Sequence, residues 1–197
     1  METDKGKEGQ APGWRYPAIF IGLVIVNTLL AAFGEIYNPV APGVSGFYIA
    51  VAFMIAFGLW FGGWGVVAAY LGCILGSGLA MGVPPSVNLY WSLADAWQVL
   101  IPLAAFRAFR ADTGLRSRRD LGIFLAFGWF LNNLAGAAWG SVTLATGGVV
   151  PWEEVPALLW SWFLGNLVVT ILIAPALLYF LTPRLRDAGL LVKGTWS

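Results

Sequence analysis

The stretch WSWFLGNLVVTILIAPALLYF, Trp160 to Phe180, decides the fold class. It carries no charged side chain and is long enough to cross a bilayer, which takes about 20 apolar residues as a helix. Yet Asn166 sits inside it, four residues after Trp162. An amide in hydrocarbon is costly unless it meets a polar partner, so such residues face the interior of a helix bundle. A second stretch, WSLAD over Trp91 to Asp95, has a related form: a Trp, a Leu two residues on, a small residue, then Asp or Asn. The two stretches predict helices that turn a Trp and a polar group toward the same interior.

Composition extends this reading to the whole chain. Of the 197 residues, 59% are hydrophobic, 15% aromatic and 11% charged. Mean hydropathy is +0.76. A soluble domain is about 25% charged, so this chain cannot clothe a water-facing surface. The expectation is an all-α integral membrane protein, multi-pass, in the cell membrane. Cys73 is the lone cysteine, which leaves no disulfide framework or thiolate cluster. There is no histidine, hence neither the commonest metal ligand nor the usual general base. No nucleophile–base pair, phosphate loop or metal spacing is present. A non-enzymatic protein with no cofactor and no metal is expected.

Apolar runs of spanning length lie at roughly 17–34, 45–62, 64–82, 91–109, 121–146 and 155–182. FGGWG between the second and third reads as a tight turn. Every Lys and Arg falls in one of three regions: Lys5, Lys7 and Arg15; Arg107, Arg110, Arg116, Arg118 and Arg119; Arg184, Arg186 and Lys193. With six spans these regions share one side, the cytoplasm by the positive-inside rule. The expected organisation is a disordered cytoplasmic N-terminus over 1–14, a six-helix transmembrane domain over 15–186, and a cytoplasmic tail over 187–197. Both termini are cytoplasmic. The outer loops 35–44, 83–90 and 147–154 hold Glu35, Glu153 and Glu154 and no basic residue. Their turn formers (YNPVAPG, GVPPS, TGGVVP) predict loops. Trp91, Trp152, Tyr37 and Tyr90 near the outer boundary, and Trp14 and Tyr16 near the inner one, read as belt anchors. The basic loop FRAFRADTGLRSRRD reads as a topology signal and a contact for anionic lipid, with no nucleic-acid role.

Small residues four apart (Gly58/Gly62, Gly72/Gly76, Gly136/Gly140, Ala18/Gly22) let helix backbones approach closely. Internal packing accounts for them; the Ala18/Gly22 face would also suit a second membrane protein. The polar residues within the spans are Asp95 and Gln98, Asn132 and Asn133, and Asn166 and Thr170. They would either fasten helices together or line an outward-facing pocket. The pocket reading takes Asp95, Gln98, Asn132, Asn133 and Asn166 as ligand-binding groups and Trp91, Trp97, Trp139 and Trp162 as walls. A few convergent polar groups in an apolar setting is what small-ligand sites look like.

The C-terminal third, FLNNLAGAAWGSVTLATGGVVPWEEVPALLWSWFLGNLVVTILIAPALLYF, resembles the first family of MASE-type membrane-associated sensor domains. GFYIAVAFMIAFGLWFGGWGVVAAYLGCILGSG and SLADAWQVLIPLAAFRAF look like that family's earlier spans. The likeness covers roughly residues 40–182. Gly165-Asn166 stands where that family has Gly-Asp, so a role that needs charge there is not carried over. With no kinase or cyclase expected after Ser197, signalling would pass to a separate protein. In architecture the chain is also similar to the S components of energy-coupling-factor transporters, which bind a small molecule and dock a partner through span one. The resulting expectation is a protein that binds or senses a small molecule from the outer face and relays its state to a membrane or signalling partner. The alternatives are a transport S component and a structural subunit of a membrane complex.

Overall fold

The computed structural model describes residues 15–33, 35–41 and 44–192. The disordered N-terminus expected over 1–14, including Trp14, lies outside them, as do the end of the tail and the side chains of Tyr16, Glu35 and Tyr37. The described chain is mostly helical. Six helical runs follow one another: α1 (Arg15–Phe33), α2 (Ala50–Phe61), α3 (Gly63–Cys73, continued by a π-helical segment Ile74–Leu79), α4 and α5 (Pro85–Trp91 and Leu93–Ala108), α6 and α7 (Arg118–Ile123 and Asn132–Thr146, joined by a π-helical segment Phe124–Leu131), and α8 (Val155–Asp187). Two of these, Arg118–Thr146 and Trp152–Asp187, are long and apolar enough to cross a membrane.

Two expectations are corrected. The loop expected over 83–90 is helical from Pro85, where proline at the first helical position starts α4. The segment 35–48 is neither an irregular loop nor the start of the second helix. It forms an antiparallel ribbon of β1 (Glu35–Ala41) and β2 (Val44–Tyr48), pairing Glu35 with Tyr48 and Ala41 with Val44. Residues 45–48 therefore belong to a strand, and α2 has only 12 residues, about 18 Å. At the end of β2 Phe47 is exposed and Tyr48 buried, as neighbours on a strand point to opposite faces. Gly62, at φ 62°, makes the tight turn expected between α2 and α3, in a conformation that favours glycine.

α2 is the centre of the molecule. It is apolar on every side and nearly all of it is buried, which is how a helix surrounded by others reads. α1, α3, α5 and α8 pack around it. Glycines set the closest crossings. A Cβ on Gly72 would stand 2.5 Å from Asn27 Cβ, and one on Gly76 2.6 Å from Ala31 Cβ, so α1 lies directly on α3. Gly140 gives its place to the Trp162 ring, and Gly136 to the Gln98 side chain. The outer surface is apolar: Ile21, Leu29, Phe33, Trp160, Leu172 and Phe180 are each more than half exposed.

The core divides in two. One apolar cluster is built around α2 with Val99, Phe106, Phe124, Val169, Ala174 and Leu178. The other joins Trp91, Ala94, Ala137, Leu144, Trp162 and Phe163. On α5 the residues between the two clusters are Asp95 and Gln98. On the α6–α7 run they are Asn132 and Asn133, and on α8 Gly165 and Asn166. A polar layer thus separates two apolar cores.

Candidate binding site

Asp95 is 3% exposed, and Gln98, Asn132, Asn133 and Asn166 are each 0% exposed. All five are closed off from the outer surface in this structure. Asp95 accepts a 3.0 Å hydrogen bond from the Tyr48 hydroxyl, and the Cys73 thiol is a second partner. Its carboxyl therefore turns toward β2 and α3. Gln98, one turn further along α5, turns toward α7. Its Nε2 donates to Asn133 Oδ1 at 2.9 Å, and its backbone carbonyl accepts from Asn132 Nδ2 at 3.3 Å. Asn133 Nδ2 donates to Trp129 O at 2.7 Å and to Thr170 Oγ1 at 3.1 Å. One line of hydrogen bonds therefore ties α5 to α7 and α7 to α8.

Asn132 and Asn133 open a series of inward-facing pairs along α7, followed by Gly136/Ala137, Gly140/Ser141 and Leu144/Ala145. Phe124–Leu131 widens the helix just before Asn132, and such segments recur at functional sites.

Asn166 differs from its neighbours. It lies between Trp162 and Thr170 on the face of α8 turned to α7, and neither its Nδ2 nor its Oδ1 has a partner. Gln98 Oε1, Asn132 Oδ1, Ser141 Oγ and Trp91 Nε1 are buried and unpartnered as well. A buried polar group left unpaired costs about 1–3 kcal/mol. The interior therefore holds unpaired donors (Asn166 Nδ2, Trp91 Nε1, the Ser141 hydroxyl) and acceptors (Gln98 Oε1, Asn132 Oδ1, Asn166 Oδ1), spread over about two and a half turns of α7 from Asn132 to Ser141. No cationic side chain is among them.

The four tryptophans do not form one wall. Trp91 and Trp162 are buried with ring centroids 6.1 Å apart, and they roof the polar layer. Trp91 is 2% exposed and so is not a belt anchor. Trp97 and Trp139 form a second pair, 5.9 Å apart and edge to face, on the outer surface of α5 and α7. They are 36% and 38% exposed, so they are separate from the polar layer, and the expectation that they wall it is corrected. Trp139 Nε1 donates to Tyr90 O at 2.7 Å. Trp139 also lines an apolar groove of about 550 Å³ between α4 and α7 with Val87, Tyr90 and Val142.

Sequence reasoning passed over Tyr48, Trp129 and Ser141. Ser141 is readable as a hydroxyl two turns from Asn133 on an apolar helix. Tyr48 carried no signal, because its strand was read as helix.

No family model matches the chain, and neither a curated protein nor a solved structure matches it.

Proposed function

We propose that the chain is a six-span integral membrane protein whose polar layer binds a small uncharged molecule. The six apolar helical runs, the apolar outer surface and the gathering of Lys and Arg at one end support this topology, with both termini in the cytoplasm. The observation that carries the binding reading is Asn166: fully buried, with both amide atoms unpartnered. Polar glue would have used those atoms, as it uses those of Asn133. The ligand would present both a donor and an acceptor, as an amide, a urea or an alcohol does, and would stack against the Trp91/Trp162 pair. Entry requires Tyr48 or the helices around Asn166 to move. That movement would carry the bound state through the α5–α7–α8 hydrogen bonds to the cytoplasmic end and to a separate signalling partner.

The test is mass spectrometry of small molecules released from protein purified in mild detergent, comparing the native chain with Asn166→Leu. A compound retained by the first and lost from the second, at equal folding, is the expected result. Equal small-molecule content in both overturns the binding reading.

A second reading, a transport S component, draws on α1. A Cβ on Gly22 would meet nothing within 4 Å, so that face is free for a membrane partner. Affinity purification from the native membrane separates the two: an ATPase with its membrane scaffold favours transport, a kinase or cyclase favours sensing.

A further inference from the structure

At the Arg-rich end of the molecule, Leu115, Arg116, Tyr179, Phe180 and Pro183 line a cavity of about 570 Å³. We infer that this cavity is a binding site for one anionic phospholipid, its phosphate held by Arg116 of the lining together with Arg184, which follows the lining residue Pro183, and its acyl chain laid on Tyr179 and Phe180. The inference rests on the membrane topology proposed above.

The two halves of the cavity have different chemistry. Tyr179 and Phe180 are 57% and 60% exposed and stand edge to face at 5.1 Å, an apolar wall on the outer surface of α8. Pro183 has no N–H, so Tyr179 C=O lacks its usual helical donor. On the other side stands Arg116, exposed and with no ion-pair partner among the described residues. Arg184 reaches back to Phe180 O at 3.4 Å, which keeps its guanidinium on the same turn of α8. Asp187, three residues beyond Arg184, makes no ion pair among the described residues, and the other two nearby acids are engaged elsewhere. Asp112 pairs with Arg186 at 2.6 Å, and Asp120 accepts from the Ser117 hydroxyl at 2.6 Å. The cavity is therefore left with positive charge at its rim, and guanidinium groups suit phosphate because they donate in a fork.

The wall that carries Arg116 is rigid. Leu115 holds φ 52° and Arg110 φ 50°, conformations that non-glycine residues keep only when their surroundings impose them. Here Ala111 N donates to Phe106 O, Asp112 N to Asp120 Oδ1, Leu115 N to Asp112 O, and Thr182 Oγ1 to Thr113 O. The loop backbone is thereby tied to α5, α6 and α8, and Arg116 projects from it at the cavity wall opposite the aromatics.

The test uses the full chain, delipidated in detergent and mixed with equal phosphatidylglycerol and phosphatidylcholine, with bound lipid counted by native mass spectrometry. Retention of phosphatidylglycerol over phosphatidylcholine is expected, falling about tenfold in the double variant Arg116→Gln, Arg184→Gln. Arg118→Gln, which removes an equally exposed charge outside the cavity, should leave it unchanged. Equal retention of the two lipids, or the same loss with Arg118→Gln, overturns the site. So does displacement by soluble glycerol phosphate, which would make the ligand a free phosphate. Carbonate extraction of the same membranes reads the topology independently. A chain that pellets but retains no lipid sinks the site alone; a chain that stays in the supernatant sinks the membrane reading and the site with it.

Discussion

Asn133 and Asn166 are the same residue type, at the same burial, on adjacent helices, and the structure gives them opposite roles. Asn133 makes three hydrogen bonds, to Gln98, Trp129 and Thr170. Asn133→Leu should cost about 1–3 kcal/mol, because it strands Gln98 Nε2 in the interior. Asn166 makes none. Asn166→Leu should leave the ligand-free protein as stable, or raise its stability by about 1 kcal/mol, since two unpaired groups disappear. Reversible unfolding in mixed micelles measures both, and equal destabilisation by the two would make Asn166 a fastener after all. Tyr48→Phe removes the hydroxyl bound to Asp95 and should cost about 1 kcal/mol in the same assay.

Among the elements, the helix crossings make the sharpest predictions, because glycines either touch a neighbour or do not. A methyl on Gly140 would overlap the Trp162 ring. Gly140→Ala should therefore destabilise by about 1–3 kcal/mol through overpacking. Gly22 faces open space, so Gly22→Ala should be neutral or gain up to about 1 kcal/mol, the ordinary helix preference for alanine. If Gly22→Ala instead weakens recovery of a co-purifying partner while the isolated chain stays folded, the α1 face is a docking surface. The arginine-rich end has its own fastening. Trp60 Nε1 donates to Thr182 Oγ1 at 2.9 Å, and Val192 N to Trp60 O at 2.9 Å. Thr182→Val should loosen that end, seen as faster amide exchange around Thr113 and Val192.

For the molecule as a whole, the sidedness of the loops is directly testable. Cys73 is the single cysteine and is buried, so a Cys73→Ala chain is a clean background. In intact cells an impermeant maleimide should label Glu153→Cys and leave Arg118→Cys untouched, with the pattern equalised once the membrane is opened. The reverse pattern would invert the proposed topology.

The buried Asn27 and Asn88 and the helix Pro85–Trp91 escaped the sequence reading, but six helical runs, the tight turn at Gly62 and the buried amides of α5, α7 and α8 were legible in it. They depend on local composition: a run too apolar for water forms a helix, and a polar residue inside that run turns inward. What the sequence did not carry is pairing. Segment 35–48 looked like a loop leading into a helix because its strands are stabilised by each other and by α8, not by any local preference. The separation of Trp97 and Trp139 from Trp91 and Trp162, and the isolation of Asn166 beside a fully bonded Asn133, follow from how each helix is rotated in the bundle. Residue type told which side chains need a partner; only the packing of α5, α7 and α8 decided which of them found one, because a hydrogen bond depends on distances of a few tenths of an ångström across helices far apart in the chain.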